Sequence, residues 1–374
     1  MLKTQSPFLK RRYRKALIFQ SFSMFAALFC FFILGTFIFS ITKNAILPLK
    51  TVEIYYDSKL ETFIYENIEH NKIENFFPKS IKYDKRTNSE FWTPVKYDFK
   101  KYVLKNTSIH ESLTLDYDKI LAYAKQNNTL KTGFNWNFFK NNNSIYPEVA
   151  GIKGATIGSI YVLLIFIVLT IPAGILVGLY ISEFLNQGKV KSMLKINIQN
   201  LASIPSIIYG IIVLNIFVNM FEFSRASALI GGIALALLIL PMIIMITYNA
   251  ASMVPQGYKD SALSLGLSNV QATFIITLPL SMPRIITGIL LSIARAAGET
   301  APLIIVGMAF FSSSTPKSII NESTTTLPLQ IFLWTSDPAE AFIEYASAGI
   351  MVFIIFLTVI NFFVHIIRNK LQKS

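Results

Sequence analysis

Six stretches of this chain, residues 16–41, 156–181, 198–220, 227–249, 285–310 and 345–367, are apolar almost without interruption. A helix rises about 1.5 Å per residue, so each stretch is long enough to cross a hydrocarbon core of about 30 Å. Only closed hydrogen-bonding patterns survive in lipid, and for runs of this length that means helices. The expected fold is therefore an all-α polytopic membrane protein with six transmembrane helices.

Composition agrees. Charged residues make up 15% of the 374 and hydrophobic ones 53%, and the mean hydropathy is +0.50. A soluble domain carries about a quarter charged residues. The net charge of +13 would suit a nucleic-acid binder, but the apolar content argues against that. Basic loops held in the cytoplasm explain it better. Cys30 is the only cysteine, so no internal disulfide forms, and no Cys/His cluster marks a metal site. The first apolar run is longer than a signal peptide's, and Thr42-Lys43-Asn44-Ala45 is a poor cleavage site, so the run is read as a retained anchor.

Sidedness follows from lysine and arginine in short loops. The tail at 1–15 holds Lys3, Lys10, Arg11, Arg12, Arg14 and Lys15. Lys189, Lys191 and Lys195 follow the second run, Lys259 and Arg284 the fourth, and Arg368, Lys370 and Lys373 end the chain at 368–374. The opposite short loops hold Arg225 and Lys317. Both termini are expected in the cytoplasm. Residues 43–154, between the first two runs, are rich in Lys, Asn, Tyr and Phe and are expected to form an extracytoplasmic insert domain. Thr51–Tyr56 reads as a strand and Tyr117–Gln126 as a helix. Residues 155–367 form the remaining membrane core.

No phosphate-binding loop is present, since Gly188-Lys189 lacks both the upstream glycine and the following Ser/Thr. No nucleophile elbow or zinc helix occurs either. The chain reads as no enzyme, and energy for any transport comes from a gradient or a partner. Two segments carry the chemistry. The first is Tyr258 to Pro279, read as a helix from Asp260 stopped by Gly266, then a second helix capped by Ser268 or Asn269 and ended by Pro279. Ala262, Leu263 and Leu265 would face outward or into a groove; a docking helix and a plain surface connector both fit.

The second is Arg295-Ala-Ala-Gly-Glu-Thr-Ala-Pro-Leu303, which places two charges at membrane depth. Such charges usually mark a pathway. Arg295 and Glu299 stand at i and i+4, one helical face. A structural ion pair and an anion gate both fit this spacing. An arginine fork suits an oxyanion, and in the gate reading Glu299 holds Arg295 in one state while the anion competes in another. Gly298 and Pro302 favour a bend there; close packing through Ala294, Ala297 and Gly298 is the alternative. Thr300 joins this candidate pathway. Pro205, Tyr209, Asn215 and Asn219 read as glue between helices, and Pro241 as a kink.

The order Asp260-Ser261-Ala262, Gly266, nine further residues, then Ile276-x-Leu278-Pro279 resembles the EAA loop of ABC-importer permeases, with Asp for Glu and Ser for Ala at the first two positions. The 295–303 stretch resembles the signature of phosphate-importer permeases, of the PstA type more than the PstC type. Ile204-Pro-Ser-Ile-Ile-Tyr-Gly210 and Leu327-Pro-Leu-Gln-Ile-Phe-Leu-Trp334 agree with it. The likeness covers about 150–367; the 43–154 insert is longer than the family leads one to expect. The resemblance implies a permease subunit of the bacterial inner membrane forming half of a translocation pore for phosphate. It also implies a second permease subunit, a dimer of ATPase subunits holding ATP and Mg, and an extracytoplasmic phosphate-binding protein as partners, with no cofactor on this chain. Sulfate or molybdate as the substrate, and a membrane-anchored sensor working through 43–154, are the alternatives.

Overall fold

The computed structural model describes residues 7–56, 91–95 and 111–371, with positions 60, 63, 100 and 103 besides. Lys3, Lys373 and most of 57–110 of the insert lie outside the described residues. The chain is mostly helical. In order come α1 (Pro7–Leu49), α2 (Glu111–Gln126), α3 (Asn137–Lys140), α4 (Lys153–Leu179), α5 (Lys189–Ala202), α6 (Ser206–Val213) and α7 (Ala228–Ser252). Then follow α8 (Gln256–Ser264), α9 (Asn269–Ala272), α10 (Leu278–Gly298), α11 (Ala301–Ile305), α12 (Leu327–Thr335) and α13 (Glu340–Leu371). The strands are β1 (Lys50–Tyr56), β2 (Phe91–Pro94) and β3 (Leu130–Phe134).

Among the described residues, five helical runs are long and apolar enough to cross a membrane: Ser23–Leu49, Lys153–Phe184, Ala228–Ser252, Asn269–Gly298 and Glu340–Phe362. The sixth expected span, 198–220, is not straight. Lys189–Ala202 and Ser206–Met220 meet at 93°. Pro205 starts α6 in an extended conformation, and the Tyr209 hydroxyl donates to the Leu201 carbonyl at 2.7 Å, pinning the corner. The fifth span also shifts. It begins at Asn269 and ends at Gly298, where 285–310 was expected.

The helix α7 is the centre of the bundle, apolar on every face and buried along most of its length. It runs on through Pro241. α4 lies against it at glycine distance: a Cβ on Gly174 would sit 2.5 Å from Ile243 Cγ2, and one on Gly178 2.7 Å from the Ile244 carbonyl oxygen. Lipid offers no hydrophobic drive between helices, so such small residues set how closely they pack. By contrast α1 shows apolar side chains such as Phe25, Phe31 and Phe39 outward over residues 24–39, a surface suited to lipid.

The strand expected at 51–56 and the helix expected at 117–126 are both present as β1 and α2, the latter beginning at Glu111. The sheet has order β2-β1-β3, both pairings antiparallel, with Lys50 opposite Phe134 and Glu53 opposite Pro94. The insert does not end cleanly at 154. Phe138, Ala150 and Ile152 share a core with Leu327, Trp334, Phe342 and Tyr345 of α12 and α13. Two polar clamps cross that junction, Gln330 Nε2 to the Gly151 carbonyl at 2.8 Å and Trp334 Nε1 to Asn143 Oδ1 at 3.0 Å, while Asn135 Nδ2 bonds the Pro48 carbonyl at the end of α1 at 2.8 Å.

Candidate functional site

The helix α10 carries Arg295 in its last turn and stops at Gly298. Pro302 explains the stop. In a continuous helix its missing N–H would leave the Gly298 carbonyl without a donor, and its ring would strike that carbonyl. Glu299 is therefore extended, with φ −79 and ψ 123, and the chain restarts at Ala301 as α11. Arg295 and Glu299 do not share a helical face, which corrects the i, i+4 reading. Among the described residues no ion pair joins them, and Thr300 only supplies its carbonyl to Ile304 N at 2.9 Å. Close packing at Gly298 fails too, because a Cβ there would meet nothing within 4 Å. The packing glycine is Gly210 on α6, whose Cβ would sit 2.8 Å from the Pro302 carbonyl oxygen on α11.

Arg295 is exposed and projects towards α7, its Nη1 reaching Met242 Sδ at 3.7 Å. Met242 is ten residues from one end of α7 and fourteen from the other, about 15 and 21 Å, so the guanidinium lies beside the middle of α7 although it stands in the last turn of its own helix. It lines an open cleft of ≈ 320 Å³ with Gln199, Met242, Met245 and Asn249 among its walls. A thioether is a weak acceptor, so the guanidinium keeps donors for an anion. Gln199 and Asn249 add two amides to walls that are otherwise apolar and hold no carboxylate.

In the second segment the local expectations hold. Asp260, Ser261 and Ala262 lie on α8, Gly266 ends that turn with φ +89, and Ser268 caps α9 in a capping box with Gln271. Ala262 is buried, while Tyr258, Leu263 and Leu265 are exposed. Pro279, however, does not end the second helix. A π-helical turn at Thr273–Thr277 widens the backbone, and Leu278 N donates five residues back to the Thr273 carbonyl, so α9 runs into α10 through the proline. Ile276 and Leu278 thus belong to the start of the membrane helix.

A model of the family described as binding-protein-dependent transport system inner membrane component matches residues 170–373, more than half of the chain. The chain belongs to that family. The phosphate transport system permease protein PstA of Pasteurella multocida is 30% identical over 226 residues, 60% of this chain and 79% of that protein. The same-named protein of Yersinia pestis is 33% identical over 228 residues, 60% of this chain and 75% of that one. A chain of the MetNI methionine ABC transporter covers 59% of this chain with a TM-score of 0.46 at 15% identity.

In this permease the matched range takes in the α8 segment, the bend and the Arg295 cleft, and leaves out 43–154. One residue escaped the sequence reasoning, and its partner Lys259 was read for sidedness alone. Glu183, in the π-helical turn Tyr180–Phe184 that ends the α4 run, pairs with Lys259 of α8 at 3.0 Å. The signal was present: Glu183 is the single acidic residue between Lys153 and Lys189. Asn215 and Asn219 bond along their own helix, Asn215 Nδ2 to the Ile211 carbonyl and Asn219 Nδ2 to Asn215 Oδ1, rather than between helices.

Proposed function

We propose that this chain is the permease subunit of an ATP-driven importer of inorganic phosphate. The observation that supports the reading most is Arg295: a guanidinium beside the middle of α7, in a largely apolar cleft with two amides and no carboxylate, next to a helix break. The similarity to PstA proteins supplies phosphate as the anion. In this reading the cleft is this chain's share of a pore completed by a second permease subunit. Glu299, set apart from Arg295 in the chain's present conformation, becomes its partner when the break straightens, and phosphate competes for the arginine.

The segment 258–279 would receive an ATPase. Its exposed Tyr258, Leu263 and Leu265 offer an apolar docking face beside the exposed Asp260. The ATPase dimer holds ATP and Mg, and an extracytoplasmic phosphate-binding protein delivers substrate at the insert end. Both termini then lie in the cytoplasm.

The experiment is phosphate uptake into proteoliposomes holding the permease pair, the ATPase and the binding protein. Uptake is expected to require ATP and to fall in Arg295→Ala with assembly intact. Normal uptake by an assembled Arg295→Ala complex overturns the pathway role. Uptake of sulfate or molybdate in place of phosphate overturns the substrate.

A further inference from the structure

The end of the bundle that carries α8 holds one buried carboxylate with partners on three elements. Lys259 Nζ of α8 lies 3.0 Å from Glu183 Oε2 and donates also to the Glu183 backbone carbonyl at 3.4 Å. The two side chains are 15% and 8% exposed. Thr277 Oγ1, at the end of the π-helical turn that leads into α10, donates to the same Oε2 at 3.5 Å. Ser182 Oγ donates to Glu183 Oε1 at 2.9 Å, and Lys191 Nζ of α5 donates to the Ser182 and Leu185 carbonyls at 3.0 and 3.2 Å. One carboxylate therefore ties the end of the α4 run, the helix α8 and the root of α10.

A buried ion pair adds little net stability over a well-packed apolar pair, so stability alone does not account for it. What it fixes is geometry between elements. Its members stand on two π-helical turns and a short helix, and π turns recur at functional sites. Thr277 is eighteen residues before Arg295, about 27 Å along one helix. A displacement of α8 that moves Glu183 and Thr277 together reaches the helix break through α10 as a rigid rod.

We infer that the Glu183–Lys259 pair is the strut through which movement of α8 is passed to α4 and α10, making both positioning residues for transport. The inference rests on the reading of α8 as the ATPase-receiving element. It predicts uncoupling rather than inactivity when the pair is broken.

The test uses the whole complex in proteoliposomes, with phosphate uptake and ATP hydrolysis read together. Glu183→Gln and Lys259→Met are expected to keep the ATPase bound and to lower phosphate moved per ATP about tenfold, within the usual range of coupling between sites. The exchange Glu183→Lys with Lys259→Glu is expected to bring the ratio back to within about threefold of the parent. An unchanged ratio in the single variants overturns the strut. So does loss of the bound ATPase in them, or failure of the exchange to restore the ratio.

A second readout needs no substrate. In a Cys30→Ser chain, Ala297→Cys is labelled with a maleimide with and without ATP. The ATP-dependent change in labelling rate is expected in the parent, absent in the single variants and regained in the exchange; a change that persists in the single variants overturns the strut. A parent complex that shows this change but takes up no phosphate overturns the proposed substrate and leaves the strut supported.

Discussion

Two pairs of opposite charges set the two ends of the fifth span apart. Arg295 and Glu299 stand four residues apart in sequence, and the helix break between them keeps them from pairing. Glu183 and Lys259 stand 76 residues apart and meet at 3.0 Å, nearly buried. Spacing of four residues brings side chains together only while the helix continues, and Pro302 ends that condition. The close pair leaves a guanidinium available in a cleft. The distant pair spends both charges on fastening helices. In the proposed function, transport chemistry uses the first arrangement and transmission the second.

The comparison can be broken most directly on stability. Lys259→Ala leaves a buried carboxylate without its cation and is expected to lower stability by about 3–5 kcal/mol. Glu299→Ala, which removes no pair, is expected to stay within about 1 kcal/mol. Thermal unfolding of the purified chains in detergent measures both, and equal losses would erase the distinction drawn here.

A third buried charge extends it. Lys100 of the insert is pushed down to about 8 from 10.5 by burial, partly offset by Glu148 and Glu344. Below about pH 8 the proton is bound in both folded and unfolded chains, and the burial penalty is constant. Between about 8 and 10.5 the folded chain releases it while the unfolded chain keeps it, so stability rises with pH. The rise is expected to total about 3 kcal/mol and to vanish in Lys100→Met. Unfolding followed across pH 7 to 11, a range chosen as roughly bracketing both values, reads it.

On function the order reverses between the pairs. Arg295→Lys keeps the charge but loses the planar fork, and phosphate uptake is expected to fall roughly 10- to 100-fold with stability within about 0.5 kcal/mol. The smallest effect belongs to Gly298. A Cβ there meets nothing within 4 Å, so Gly298→Ala is expected to stabilise α10 by at most about 1 kcal/mol and to leave uptake unchanged. Lost uptake with retained folding would show that the break itself must flex.

Much of the local structure was legible. Gly266 takes the positive φ its position implied, Ser268 caps the helix that follows, and 51–56 is a strand. These depend on neighbouring residues alone. The break at Glu299 was written in Gly298 and Pro302, yet the i, i+4 spacing outweighed it. Pro279 misled in the opposite direction, because a π-helical turn four residues earlier accommodates its ring. The bend in the third run was missed because the Tyr209–Leu201 bond that pins it crosses the corner itself.

By itself the sequence determined that this chain is a bundle of membrane helices with an arginine inside an apolar run. Apolar length and the price of charge in lipid are properties of a segment, whatever surrounds it. Only the tertiary structure decided which charges meet. Pairing needs two groups within a few ångströms, and for Glu183 and Lys259 that distance is set by how α4 packs on α7 and how α8 folds back beneath them.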